Sequence, residues 1–468
     1  MDYNISVNEY LEKVQERNFD RADFLHYVIE ESRNLDEKYS FFAHLDSFQD
    51  ISFSQNLFGL PISVKDNICV AEMLSRAGSR ILEGYRPPMD ATSVKRIKES
   101  GGNIVGKTNQ DEFGFGTFST NSAYGIPKNP HDTSRSCGGS SGGAAGLAAA
   151  ATFPHVALAE STGGSISCPA SFCSVVGLTP TYGLVSRYGL IDYASSLDKI
   201  GAIGKSVSDV AMLLSAIAGH DIKDSTSIAK KKYDYTKHLA KTARGARIAV
   251  PKEYFRNIDK NVERAVWDAI DKLVDAGAKY REISLPTTKH ALPAYYIIAT
   301  AEASTNLAKF CGLRYGHAEE IGGNFDEYFS RVRSSGFGEE AKRRIMLGTF
   351  ARMSGYRDQY YLKAMKIRTL IIRDFKKVFK SFDAIAAPAM PVIAPKFSEI
   401  DKLSPVQAYQ MDVLTVAPNL AGIPMVSVPA GSARSMPVGL HLMSDHLQEG
   451  KLIEIASAFE SVVGSDKK

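Results

Sequence analysis

The sequence predicts an α/β fold, a single large domain built on a mixed β-sheet. Three observations predict it. Short apolar segments of strand character alternate along the chain with segments of helical periodicity. No internal repeat, low-complexity block or linker divides the 468 residues. The composition, 44% hydrophobic and 23% charged, is that of a globular protein with a sizeable core.

Residues 6–34 read as two amphipathic helices. Leu57–Val64 is apolar and β-branched, a buried strand ending at Lys65. Ala91–Glu99 reads as a helix closed by Gly101–Gly102, and Asn103–Gly106 as a short strand. The Ser- and Gly-rich segment 134–146 precedes a helix of small residues. The stretch Gly142–Ala159 is long and weakly apolar, but Ala and Gly insert poorly into lipid and Pro154–His155 interrupt it. It therefore reads as a buried helix followed by a strand, Val156–Ala159. Ser206-x-x-Asp209 resembles a capping box and opens a helix to His220. Arg247–Val250 is a strand, Asn261–Ala276 a periodic helix, and 291–310 and 338–376 are long helical patterns. Phe382–Ala387, Met425–Pro429 and Val438–Met443 are strand-like.

The charge balance, 56 basic against 52 acidic residues, argues against a dedicated nucleic-acid surface. Five cysteines stand at 69, 137, 168, 173 and 311 with no CxxC pair. That spacing argues against a zinc site and suits a reducing compartment. The first residues are charged and lack the apolar core of a signal peptide, so the expectation is a cytoplasmic protein with no membrane partner.

Three motifs compete for the chemistry. Gly101-Gly-Asn-Ile-Val-Gly106-Lys107-Thr108 fits the phosphate-loop pattern at every fixed position. A working phosphate loop follows a strand and opens a helix, whose N-terminus holds the phosphate. Here a helix precedes the glycines and Ile104–Val105 reads as a strand, so a helix cap running into a strand is the expectation. Gly138-Gly-Ser140-Ser-Gly142 fits the nucleophile-elbow pattern, but the preceding residues 131–137 are polar and not strand-like. The downstream histidines His220, His290, His317, His441 and His446 occupy no recognisable loop setting.

The third is a constellation of Lys65, Gly138–Gly143 and Ser161–Ser165. Successive amides around Gly163–Gly164 can turn inward together and donate to an oxyanion. Ser165 needs a base, and a buried lysine can serve because desolvation favours its neutral form. Ser140 can relay a proton, since a hydroxyl both donates and accepts. The bland alternatives are a lysine paired with an acid such as Asp66, and a Gly-Ser run that is merely a loop.

Val64-Lys65-Asp66-Asn67, Gly138-Gly-Ser-Ser-Gly-Gly143 and Thr162-Gly-Gly-Ser-Ile166 resemble the amidase-signature enzymes in order and at nearly the usual spacing. Gly106-Lys-Thr-Asn-Gln-Asp-Glu-Phe113, Phe172–Leu178, Pro180–Leu190, Ser195–Ile200, Arg343–Thr349 and Asn419–Pro424 resemble one branch of them, the glutaminase (A) subunits of tRNA-dependent amidotransferases. The resemblance implies one amidase domain over 1–468, with a helical segment at 1–54, a core at 55–460 and a mixed sheet sandwiched between layers of α-helix. It implies Ser165 as nucleophile, Ser140 as bridging acid/base after a cis peptide bond, and Lys65 as base. The amides of Thr162, Gly163, Gly164 and Ser165 would form the oxyanion hole. Tyr295, Arg344 and Asp412 would hold substrate, Arg344 at the α-carboxylate of glutamine and Asp412 at its α-ammonium.

By the same resemblance the chain needs no metal or cofactor of its own. ATP and magnesium belong to a partner B subunit. A small C subunit completes the complex, and aminoacyl-tRNA is reached through it. Five features depart from the pattern, the first being a shortened region before residue 55. Ser161 stands where family members carry Asp, Ser167 where they carry Arg and Cys137 where Pro is frequent. The stretch between the two serine motifs is also one residue longer. The alternatives are a stand-alone amidase acting on small amides and a non-catalytic structural subunit.

Overall fold

In the computed structural model, residues 3–16, 19–45 and 55–465 are described. The strands among them are β1 (Phe42–Leu45), β2 (Pro61–Lys65), β3 (Asn103–Thr108), β4 (Lys128–Asn129), β5 (Asp132–Ser136), β6 (Val156–Ser161), β7 (Val176–Thr179), β8 (Lys199–Gly204), β9 (Arg247–Pro251), β10 (Lys279–Ile283), β11 (Ala384–Pro388), β12 (Met425–Ala433) and β13 (Met436–Met443). One 11-stranded sheet runs in the order β1-β3-β2-β6-β8-β7-β12-β13-β11-β9-β10, and β4 and β5 form a separate ribbon. The sheet is mixed: β3, β2 and β6 are mutually parallel, as are β11, β9 and β10, while the strands between them pair antiparallel.

Both faces of the sheet are covered, and strand alternation shows how. Ala384 and Ala386 enter one core and Ile385 and Ala387 the other; Val426 and Val428 oppose Met425, and Leu440 and Leu442 oppose Met443. Successive side chains of a strand point to opposite faces, so each strand feeds two cores. Helices Thr92–Glu99, Gly142–Ala150, Val207–Ile217, Lys260–Asp275 and Glu449–Ser465 cover the first face. Helices Ala291–Asn306, Lys363–Phe379 and Val416–Ala421 cover the second.

The expected N-terminal helices are Val7–Lys13 and Arg21–Tyr39; residues 17–18 between them, and 46–54 of the expected N-terminal segment, lie outside the described residues. The small-residue stretch forms helix Gly142–Ala150 and then β6, and no described helix is long and apolar enough to cross a membrane. The capping box at Ser206 and Asp209 is formed in both directions.

Two expectations are corrected. The helical pattern over 338–376 breaks into Glu339–Arg352 and Lys363–Phe379, joined by a π-helical turn at Asp358–Leu362. Met353 turns extended there, and Ser354–Gly355, weak helix formers, follow it. Polar Asp132–Ser136 does form a strand, because pairing with β4 and the bridge from Arg135 to Lys396 supply its hydrogen bonds without apolar side chains.

Parallel strands place the site. Lys65 ends β2 opposite Thr108 of β3, and Val64 lies opposite Leu158 of β6. Three carboxyl ends therefore open at one edge, where such sheets hold their ligands.

Candidate active site

Lys65 is fully buried, and its ammonium meets three acceptors. It donates to Ser140 Oγ at 2.7 Å and to the carbonyl and Oε2 of Glu160 at 3.0 Å each. The strand-end geometry explains the reach: Glu160 lies two residues past Leu158, on the parallel neighbour of the strand that carries Lys65. The sequence predicts a lysine kept neutral by burial alone, with Asp66 as the alternative partner. The structure instead gives it a carboxylate from Glu160, while Asp66 accepts the amides of Arg76 and Gly78.

The Gly139–Ser140 peptide is cis. Its loop is braced on both sides. Ser119 Oγ donates to the Gly138 carbonyl at 2.9 Å and accepts the Gly142 amide at 3.0 Å. Asp111 accepts the amides of Ser119 and Asn121, and burial pushes its carboxyl up to about 6. A Cβ at Gly139 would stand 2.2 Å from Asp111 Oδ2, so only glycine lets that brace approach. The Ser141 amide reaches the Ser165 carbonyl at 3.2 Å, which ties the two serine loops together.

Ser165 follows β6 and precedes helix Ser167–Cys173. The amides of Thr162, Gly163, Gly164 and Ser165 are buried, and none donates to a protein acceptor among the described residues. Buried N–H groups are nearly always paired, so four unpaired in succession form a cradle for an external oxyanion. The turn is held from outside. Asn419 Nδ2 donates to the Gly163 carbonyl at 2.6 Å, and a Cβ on Gly163 or Gly164 would fall 2.5 Å from Tyr295 Oη or 2.3 Å from Thr415 Oγ1.

The remaining expected residues converge on the same wall. Tyr295 packs its hydroxyl against Gly163. Arg344 is buried among the rings of Phe115, Tyr193, Tyr296 and Tyr409, whose centroids lie 5.2–5.6 Å from its guanidinium carbon. Its Nε pairs with Glu340 and its Nη1 with Tyr193 Oη, while Nη2 donates to no protein group among the described residues. Asp412 accepts Thr117 Oγ1 at 3.0 Å and Tyr296 Oη at 2.6 Å, and burial raises its carboxyl. A guanidinium with one unbonded nitrogen and a buried carboxylate thus stand on the wall that Tyr295 shares with the four unpaired amides.

Four residues of the site escaped the sequence reading: Glu160, Glu340, Tyr296 and Asn419. Glu160, an acid directly after the apolar run Val156–Ala159, was a legible anomaly. Glu340 was also accessible, four positions before Arg344 on a helical pattern. Nothing in the sequence distinguishes Tyr296 from Tyr295 as the partner of Asp412.

The two rival motifs are placed elsewhere. Gly101 closes a helix with φ +80°, and residues 103–108 are β3. Lys107 is engaged inside the fold, by the carbonyls of Asp66 and Ile68 and by Ser75 Oγ at 2.7 Å, and burial lowers it to about 8. Among the described residues no histidine hydrogen bond to Ser140 or Ser165 is formed: His441 pairs with Ser167 and His446 with Ala421.

The sequence matches the family described as Amidase over residues 7–453. The A subunits of glutamyl-tRNA(Gln) amidotransferase from Methanococcoides burtonii and Halothermothrix orenii are each 49% identical to it. The first aligns over 405 residues, 86% of this chain and 84% of that one, and the second over 414 residues, 88% and 86%. The solved A subunit of glutamyl-tRNA(Gln) amidotransferase from Thermotoga maritima is 37% identical and superposes with a TM-score of 0.83 over 98% of this chain and 95% of that one. A bacterial aryl acylamidase of the amidase-signature family, 21% identical, shares the fold with a TM-score of 0.81 over 98% and 96% of the two chains. On the family match and these relatives, this chain belongs to the amidase-signature family.

Proposed function

We propose that this chain hydrolyses glutamine and supplies the ammonia as the A subunit of a tRNA-dependent amidotransferase. Ser165 attacks the side-chain amide, Ser140 relays the proton and Lys65 is the base. The amides of residues 162–165 hold the oxyanion. Ammonia leaves, and water then hydrolyses the glutamyl ester on Ser165. Arg344, Asp412 and Tyr295 hold the amino-acid end. The ammonia passes to a B subunit, which uses ATP and magnesium to activate Glu-tRNA(Gln) or Asp-tRNA(Asn), and a small C subunit joins them. The names of relatives at 49% identity support this assignment.

The observation that carries the substrate is the opposed pair of Arg344 and Asp412 beside the cradle. A small-amide enzyme has no use for both charges. Arg344→Lys replaces a fork by a point charge and removes the flat group packed among four rings. The KM for glutamine should rise by roughly 10- to 100-fold, 1.5–3 kcal/mol, with a smaller change in kcat. An unchanged KM would remove Arg344 from the substrate site. Hydrolysis of simple aliphatic amides faster than glutamine would favour a stand-alone amidase.

A further inference from the structure

Behind Lys65 lies a buried chain of groups that the proposed reaction does not use. Glu160 Oε2 accepts from Lys65, and its other oxygen, Oε1, lies 2.8 Å from Thr162 Oγ1. The same hydroxyl lies 2.8 Å from Asp198 Oδ1. A threonine hydroxyl has one proton to donate. It can satisfy one of these carboxyls, so the second contact requires the carboxyl to be the donor. Asp198 is placed for that. Its Oδ2 accepts the amides of Tyr193 and Ala194 at 2.9 and 3.0 Å, Oδ1 shares the Ala194 amide at 3.1 Å, and a proton on Oδ1 can be donated to Thr162. Lys65, Glu160, Thr162 and Asp198 are each at most 1% exposed, so the protein alone must satisfy them.

The charged groups around this chain are few. Lys65 faces it from β2, Asp192 lies on the loop that carries Asp198, and the charge of Lys65 also acts on Asp111. Asn67 donates to Glu160 Oε2 at 3.2 Å. Burial, and then the charge of Glu160, holds the Asp198 carboxyl well above the ordinary range.

We propose that Asp198 and Glu160 hold one proton between them through Thr162, and that Glu160 is a positioning residue that takes the extra proton of Lys65 when Lys65 acts as a base. This rests on Ser165 being the nucleophile. In the step, an N–H bond of Lys65 breaks and an O–H bond forms on Glu160 Oε2. The amine left behind takes the Ser140 hydroxyl proton as Ser140 takes that of Ser165, and the Ser165 oxygen bonds to the acyl carbon. Collapse of the adduct returns a proton along the same path to the departing nitrogen. Because Glu160 also grips Thr162, one residue sets both the base and the first amide of the cradle.

The test is the rate at which a fluorophosphonate labels Ser165 in the full chain, a readout independent of which amide is the substrate. Glu160→Gln keeps the size and one acceptor oxygen for Lys65 and Asn67, turns an N–H toward Thr162, and cannot accept a proton. Its labelling should fall by about a hundredfold, and the residual rate should climb with pH, because Lys65 must then lose its proton to solvent. A merely structural loss would lower the rate equally at every pH. Asp198→Asn reproduces the protonated acid, with an N–H toward Thr162 and an oxygen for the two amides, and should label within about threefold of wild type. Labelling of Glu160→Gln at the wild-type rate overturns the hand-off from Lys65, and an Asp198→Asn as slow as Glu160→Gln overturns the shared proton. If Glu160→Gln does not fold, or wild type is not labelled at Ser165, infrared spectroscopy decides. The proposal requires a protonated-carboxyl band at neutral pH that disappears in Asp198→Asn, and its absence refutes the shared proton. Wild type that labels at Ser165 yet leaves glutamine intact would refute the glutamine reading and leave this one standing.

Discussion

Three fully buried lysines show what singles out Lys65. Lys107 donates to two carbonyls and a serine, and Lys199 donates to the Ile423 carbonyl; both are lowered by burial, to about 8 and about 7. Only Lys65 bonds a hydroxyl beside a turn with four unpaired amides, that of Ser140. The proposed set of Lys65, Ser140 and Ser165 was legible through the family resemblance, whose motifs carry those residue types at nearly fixed spacing. Glu160 was not, since its role depends on which strand pairs with β2, and pairing is a property of the folded sheet. Lys65→Arg keeps the charge and can keep the contact with Glu160, but a guanidinium does not give up its proton. Activity should fall by about a hundredfold or more, the range of general-base catalysis. A variant active within about tenfold of wild type would end the lysine-base assignment.

Among the elements, those with a strong local pattern matched and those defined by neighbours did not. Val156–Ala159 and Met425–Pro429 read as strands because they are short and largely apolar. Lys199-Ile-Gly-Ala-Ile-Gly204 carries two glycines and a lysine, yet it is β8, a central strand, because β6 and β7 pair with it on either side. The false phosphate loop shows the reverse case, in which a perfect local pattern is overruled by the order of helix and strand. Lys107→Ala tests it. Removing the ammonium leaves two buried carbonyls and Ser75 without a donor, at a cost of roughly 2–4 kcal/mol. The variant should melt several degrees lower. Neither it nor wild type should gain thermal stability from ATP and magnesium, and a magnesium-dependent shift in wild type that Lys107→Ala abolishes would restore a nucleotide site.

For the whole molecule, the sheet binds its two halves into one site. Lys65, Ser140 and Ser165 come from the first part of the chain, while Tyr295, Arg344 and Asp412 come from helices that pack over the second face. That architecture hydrolyses an amide; it offers no reason for the released ammonia to be used here. In the proposed complex the amide-forming step lies on a partner and needs only a nitrogen source. Ser165→Ala removes one oxygen atom from a buried turn whose own hydroxyl bonds no protein group among the described residues, so the fold should be nearly unaffected. In the assembled complex, glutamine-dependent amidation of tRNA should vanish in this variant, while amidation driven by added ammonium salt should continue at close to the wild-type rate. Ser140→Ala should behave the same way, and the double variant should be little worse than either, because groups that act as one unit are not additive. A structural role for Ser165 would depress both nitrogen sources together, and a stand-alone amidase would show no tRNA amidation from either. Loss of the ammonium-driven reaction in a well-folded Ser165→Ala complex would overturn the division of labour between ammonia release and ammonia use.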